Sequence, residues 1–581
     1  MSRPIRQPSI HSPARGILFG CLRSTAALGL VVFLAAAGLA PAFAQGDRLP
    51  AFVADPSLPG QIVLNPGQGL GQCHWLDRDI LSSPLVSWAY DSGEASSGWD
   101  VLEPQESDFG WAPMDEQVAK AHSLGRQIWL ELHTSEGHVP QWAQGAGVQL
   151  VGSRGGTPLP WNLTYQRLLR RAIHAMAARY DDDPTVEAVN LMAGGCYGEM
   201  AICAAQADRR DWETSGYSDE IFVEAVKQII DIYLEEQYTW EDGSQTHGFL
   251  ETPVVLQVGS GLYGHTRAVI EPVVQYALSK YGLRVWLKYN GWGGENDMGW
   301  LYQDYGSITR VGYEPMGNSA DFLSEPEAYV QAALDQHASF VCLQGTYFNM
   351  TDPAWQQARE LAARYLGAQI VLQRIEVPES VEAGQEYRLV SHWVNRGTVP
   401  LIRPERQGQK DVPASYEISL SLVDSASGEL LFEHRFVPSV PTTRWFSAQP
   451  IRIEEAISVS ETVPAGQYDL QVGLVNHSLP AHDEDRLFRL IYGGQNDGNG
   501  RYTVGRIQVQ PPTVPTASPT PLPQPTALST PTQGSGQTGS GLLAILRELW
   551  AWLRSWITRL RYFAYRNHAL SAVGNHLTGH A

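Results

Sequence analysis

Between about residues 60 and 368, short apolar runs rich in β-branched and aromatic residues alternate with longer stretches in which apolar residues recur every three or four positions. No other feature restricts the fold as much. A strand, a helix and a second strand in succession join parallel neighbours, and parallel strands need helices to cover their faces. Eight strands are expected, at residues 61–65, 85–90, 127–133, 186–192, 254–258, 284–289, 308–313 and 339–344. Eight such units in about 300 residues predict a closed TIM (β/α)8 barrel, for which about 250 residues or more is usual. Residues 165–180 set Leu168, Leu169, Ala172, Ile173 and Met176 on one helical face, and residues 218–237 repeat the pattern.

After Leu366 the helical spacing stops. Alternating runs at 370–377, 387–394, 416–423, 430–436, 451–459, 468–474, 486–492 and 503–509, with turn signals such as Glu382-Ala383-Gly384 and Pro464-Ala465-Gly466, predict an all-β sandwich over 369–510. The expected boundary with the barrel domain, 45–368, therefore lies near 368. Residues 511–541 are almost wholly Pro, Thr, Ser, Gly and Gln and read as an extended linker. Beyond it, 542–581 place Leu542, Leu546, Leu549, Leu553, Trp556 and Leu560 on one stripe with Arg547, Arg554, Arg559 and Arg561 between them. That basic amphipathic helix suits a membrane surface, a partner helix or its own protein.

At the other end, arginines precede an apolar stretch that closes on Ala42-Phe43-Ala44, so 1–44 read as a signal peptide cleaved before Gln45, with an uncleaved anchor as the alternative. Either reading exports the body, to a secreted or cell-surface location. Export permits disulfides among Cys73, Cys196, Cys203 and Cys342, of which Cys196 with Cys203 is the expected pair; four reduced, buried cysteines are the alternative. The chain carries 41 basic and 61 acidic residues, a net charge of −20, which repels phosphate backbones and argues against nucleic acid. Its 18 Trp and 24 Tyr supply flat faces of the kind that stack on sugar rings.

In a barrel of this kind the working residues follow the C-terminal ends of the strands. After the fourth expected strand comes Gly194-Gly195-Cys196-Tyr197-Gly198-Glu199, and after the seventh Gly312-Tyr313-Glu314-Pro315. Two converging glutamates are what glycosidic cleavage requires: an acid for the leaving oxygen, and a carboxylate that attacks the anomeric carbon or activates water. Trp88, Tyr90, Glu131, His133, Tyr197, Lys288, Tyr289, Trp292, Tyr313, Gln344 and Tyr347 lie near other strand ends and are candidate sugar contacts. There is no HExxH, Walker loop or GxSxG, and His133 and His138 straddle Glu136 too loosely for zinc, so no cofactor or metal is expected.

The segment Gly98-Trp99-Asp100-Val101-Leu102-Glu103-Pro104-Gln105-Glu106, then Phe109-Gly110-Trp111, Asp115, Gly125-Arg126-Gln127-Ile128-Trp129-Leu130, Pro140-Gln141-Trp142 and Tyr180-Asp181-Asp182-Asp183-Pro184-Thr185-Val186 resembles family 42 and related β-galactosidase-like barrels. These belong to the retaining glycoside hydrolases that keep the acid/base on strand four and the nucleophile on strand seven. The resemblance implies that Glu199 is the acid/base and Glu314 the nucleophile. The chain departs from the pattern at Gly198, where the family has an Asn. A non-catalytic carbohydrate-binding protein on a degenerate barrel is the alternative reading.

Overall fold

The computed structural model describes residues 61–65, 67–73, 78–90, 94–135, 137–152, 156–202, 209–259, 266–292, 299–315, 325–344, 352–403, 414–476, 487–492 and 500–512. Eight parallel strands close into a barrel: β1 (Gly69–Cys73), β2 (Trp88–Tyr90), β3 (Gln127–Glu131), β4 (Val186–Leu191), β5 (Val254–Val258), β6 (Val285–Trp292), β7 (Val311–Pro315) and β8 (Phe340–Gln344). Each is bonded to its sequence neighbours, and β1 pairs with β8. A helix follows every strand: α1 (Arg78–Leu81), α2 (Ala112–Ser123), α3 (Leu163–Tyr180), α4 (Asp219–Leu234), α5 (Arg267–Tyr281), α6 (Gly299–Tyr305), α7 (Pro326–Asp335) and α8 (Pro353–Tyr365). This is a TIM-type barrel.

Local chemistry starts these helices. The side chains of Asn162, Ser218 and Asp352 accept from the backbone amides of Tyr165, Ile221 and Ala354, satisfying donors that the first helical turn leaves free, and Pro326 and Pro353 occupy first helical positions. On α3 the buried face includes Leu168, Leu169, Ala172, Ile173 and Met176.

Strand alternation sorts the side chains into two layers. Cys73, Trp88, Tyr90, Trp129, Ala188, Val255, Trp286, Phe340 and Cys342 form one buried cluster drawn from strands all round the ring, which is the barrel interior. Their neighbours Ala89, Leu130, Val189, Leu256, Leu287, Tyr289, Tyr313 and Val341 belong to a larger cluster shared with the helices. Trp88 stacks on Trp129 with ring centroids 3.8 Å apart, and Phe340 meets both edge-on, so an aromatic plug fills the interior.

The expectation of a first strand at 61–65 is corrected: that segment is not in the barrel, and β1 is the glycine-containing Gly69–Cys73. A β-carbon at Gly71 would stand 2.3 Å from the Trp88 ring, so the strand's low β-propensity is dictated by the plug. Residues 61–65 pack instead on the C-terminal sheets, with Val63 clustered among Val371, Val394 and Ile491, and Asn65 bonded to both backbone groups of Arg489. The seventh strand is likewise displaced from 308–313, because Ile308 and Thr309 close the turn after α6 on the Tyr305 carbonyl.

Two antiparallel sheets follow, as expected of a β-sandwich. One orders β9 (Ile370–Glu376), β11 (Glu386–Asn395) and β14 (Pro450–Ser458). The other orders β10 (Ser380–Glu382), β17 (Tyr502–Gln510), β15 (Gly466–Val475), β12 (Glu417–Val423) and β13 (Leu430–Phe436), with β16 (Leu487–Phe488) on β15; within it β10 runs parallel to β17. Their facing side chains, among them Leu389, Trp393, Trp445, Ile453, Val472 and Leu474, form one core. The described barrel and sheets lie in a single compact unit. Most of the linker and all of the expected basic helix lie outside the described residues.

Candidate active site

Period-two alternation carries β6 from Trp286 in the plug to Lys288 and then Asn290, and β7 sets Glu314 in register with Asn290. Lys288 Nζ lies 2.9 Å from Glu314 Oε2 and 4.3 Å from the centre of the Tyr90 ring. Lys288 is fully buried and Glu314 is 5% exposed. A carboxylate this deep stays charged only beside a cation, and Lys288 is that cation. The sulfurs of Cys73 and Cys342 and a Glu314 carboxylate oxygen all lie within 4.8 Å of one another, so the nucleophile candidate rests on the β1–β8 disulfide.

Glu199 comes from the other side of the sequence, on a tightly wound loop eight residues beyond β4. Gly194, Gly195, Tyr197, Gly198 and Met200 all have positive φ. The loop is tied by Ala193 N to Gly198 O at 2.9 Å, Cys196 N to Ala201 O at 2.8 Å and Met200 N to Gly194 O at 2.9 Å, and Gly259 N at the end of β5 donates to Glu199 O. Gly198 (φ +71°) faces Met192, whose sulfur would lie 2.4 Å from an added β-carbon. A side chain at this position, such as the Asn that the family resemblance leads one to look for, would have to displace the Met192 thioether and hold a left-handed backbone. The Glu199 side chain is half-buried and takes a 2.6 Å hydrogen bond from Asn290 Nδ2.

Glu131, at the end of β3, gathers three donors: the Tyr90 hydroxyl, Gln257 Nε2 at 3.0 Å and His133 Nδ1 at 2.9 Å, with Ser135 Oγ 3.3 Å from His133 Nε2. Burial works against its charge, but the hydrogen bond and charge of His133, the Tyr90 hydroxyl and the Lys288 charge outweigh it and hold the carboxyl below its ordinary value. Burial pushes the Tyr90 hydroxyl well up, and the charges of Glu131, Glu314 and Glu199 push it further. One buried phenol thus feels all three carboxylates.

Of the expected sugar contacts, Tyr90, Glu131, His133 and Lys288 join this cluster, and Tyr197 stands at its rim, 38% exposed. Trp88 is in the plug. Tyr289 and Tyr313 do not face the interior: each sits one residue off the inward positions, packed among the helices, with the Tyr313 hydroxyl donating to Tyr329 O. The backbones of Trp292 and Gln344 end β6 and β8, but their side chains and the whole of Tyr347 lie outside the described residues. Gln257 and Asn290 escaped the sequence reading. The signal was there, since alternation from Val255 and from Trp286 leads directly to them. Cys73 and Cys342 form a disulfide that was not anticipated; Cys196 is also disulfide-bonded, and Cys203 lies outside the described residues.

Fold and site together define a TIM-type barrel with acidic side chains gathered at the C-terminal ends of its strands. Solved structures similar to the chain include the catalytic domain of a beta-amylase from Paenibacillus polymyxa (9% identity, TM-score 0.35, 48% of this chain and 93% of that one). Others are a family 10 endo-beta-1,4-xylanase from Gloeophyllum trabeum (11%, 0.33, 51% and 96%) and xylanase 10B from Thermotoga maritima (10%, 0.30, 48% and 83%). No protein-family model and no curated protein matches the chain. Values this low carry no inference about activity, and the family 42 likeness rests on the sequence motifs alone.

Proposed function

We propose that the protein is an exported glycoside hydrolase that cleaves O-glycosidic bonds, with Glu314 as nucleophile and Glu199 as acid/base. The observation that carries this reading is the difference between two carboxyl groups near one phenol: Glu314 is buried and charge-paired to Lys288, whereas Glu199 is half-buried on a wound loop and takes a hydrogen bond from the neutral amide of Asn290. An ionised, desolvated nucleophile beside a carboxyl that can exchange protons with solvent is the division of labour that a retaining double displacement needs.

Hydrolysis of a panel of aryl glycosides and plant and bacterial polysaccharides tests it. Glu314→Gln should lower kcat by roughly 1,000-fold or more while substrate affinity persists, and the anomeric configuration of the first product, read by NMR, should be retained. An inverted product would remove Glu314 from the nucleophile role. The alternative, a carbohydrate-binding protein without turnover, is favoured by Gly198 standing where the family pattern has an Asn; it predicts glycan binding in wild type and Glu314→Gln alike, with hydrolysis in neither.

A further inference from the structure

Two side-chain amides stand between Glu131 and Glu199. Gln257 Nε2 donates to Glu131 Oε2 (3.0 Å), Asn290 Nδ2 donates to Gln257 Oε1 (3.1 Å), and the same Nδ2 donates to Glu199 Oε1 (2.6 Å). The order has a direction. A charged carboxylate only accepts, so Glu131 turns the NH2 group of Gln257 toward itself; Gln257 then shows Asn290 a carbonyl oxygen, and Asn290 must answer with its own NH2. The second hydrogen of that NH2 goes to Glu199. Asn290 Oδ1 has no hydrogen-bond partner among the described residues, in a residue only 3% exposed, an unfavourable state that the opposite orientation would worsen by setting oxygen against oxygen at both contacts.

We infer that Glu131 is a positioning residue which, through Gln257 and Asn290, fixes the hydrogen bond donated to Glu199 and so sets the proton affinity of that carboxyl group. The inference rests on the reading of Glu199 as acid/base and names how that group is controlled. A donor held at Oε1 favours the carboxylate and leaves Oε2 to take the proton. Among the described residues, the titratable and charged groups of this cluster are Tyr90 on β2, Glu131 on β3 with His133 just beyond it, Lys288 on β6 and Glu314 on β7; of these, Glu131 is the one linked to Glu199 by a chain of oriented amides.

The test is the pH dependence of carbodiimide labelling of Glu199 in the full chain, read by peptide mass spectrometry, since the protonated carboxyl is the reactive form. In Glu131→Gln the new amide presents NH2 to Gln257, the relay reverses, and Asn290 turns Oδ1 toward Glu199. The labelling midpoint should rise by about one pH unit, a tenfold gain in proton affinity, and Glu131→Asp, which keeps the charge, should bring it back toward wild type. Gln257→Met should raise the midpoint by itself and abolish any further effect of Glu131→Gln; it also carries the test if Glu131→Gln fails to fold. An unchanged midpoint in Glu131→Gln, the same midpoint in Glu131→Asp as in Glu131→Gln, or a shift that persists undiminished in the Gln257→Met background would overturn the inference. Labelling needs no turnover, so a protein that hydrolyses nothing would sink the catalytic reading and leave this result interpretable.

Discussion

Single residues decide how the acidic cluster is assembled. Gly198 holds φ at +71° against Met192, and Tyr197 just before it and Met200 just after Glu199 accept the same left-handed region despite their side chains. A β-carbon in this region costs about 1–2 kcal/mol, before any displacement of Met192 is counted. Gly198→Ala should therefore lower unfolding free energy by about that amount or more and move Glu199 away from Asn290; a variant as stable as wild type, with unaltered Glu199 labelling, would contradict the account of this loop. Glu199 and Glu314 were legible because a carboxylate after a strand end is conspicuous. Gln257 and Asn290 were not, because a lone amide inside an apolar run looks like an irregularity until the interior of the barrel is known to be polar at that level.

At the scale of elements, pairing between strands creates electrostatics that no strand has by itself. Glu433 on β13 accepts from Ser419 Oγ on β12 at 2.7 Å, from Arg501 at 2.9 Å and from Arg435. Burial tends to raise its carboxyl, but those donors and the Arg435 charge lower it to about 2. The folded value lies below the unfolded one, so the stabilisation is complete above about pH 4.5 and fades as pH falls toward 2. Discounted for solvent screening of partly exposed partners, it amounts to about 1–2 kcal/mol. Urea titrations of Glu433→Gln and wild type should differ by that amount at pH 7 and converge near pH 2; an equal gap at both would show that packing, not charge, is involved. The strands themselves were readable: β5 and β13 fall where alternation puts them. β10 was not, since its three residues overlap a turn signal at Glu382-Ala383-Gly384.

The molecule as a whole is held at its seam. β1 and β8 are the first and last barrel strands, and the Cys73–Cys342 bridge joins them across 269 residues of sequence. A cross-link over so long a loop restricts the unfolded chain strongly, and replacing both cysteines with Ala should reduce stability by roughly 2–5 kcal/mol. Denaturation of wild type with and without a phosphine reductant, beside the double variant, checks this: reduction should reproduce most of the loss, and identical midpoints in all three would dismiss the bridge as a stabiliser.

What the sequence determined by itself was whatever depends on neighbours a few positions away: the alternation of strand and helix, the count of eight, the change of texture after Leu366 and the helices read at 165–180 and 218–237, because spacing is a local property of a chain. Ring closure decided the rest. It rejected residues 61–65 in favour of a glycine strand that could admit Trp88, turned Tyr289 and Tyr313 outward, chose Cys342 for Cys73, and brought Glu131, Gln257, Asn290 and Glu199 into one directed chain of hydrogen bonds. Those outcomes depend on which groups meet across strands far apart in sequence, and such meetings exist only once the barrel has closed.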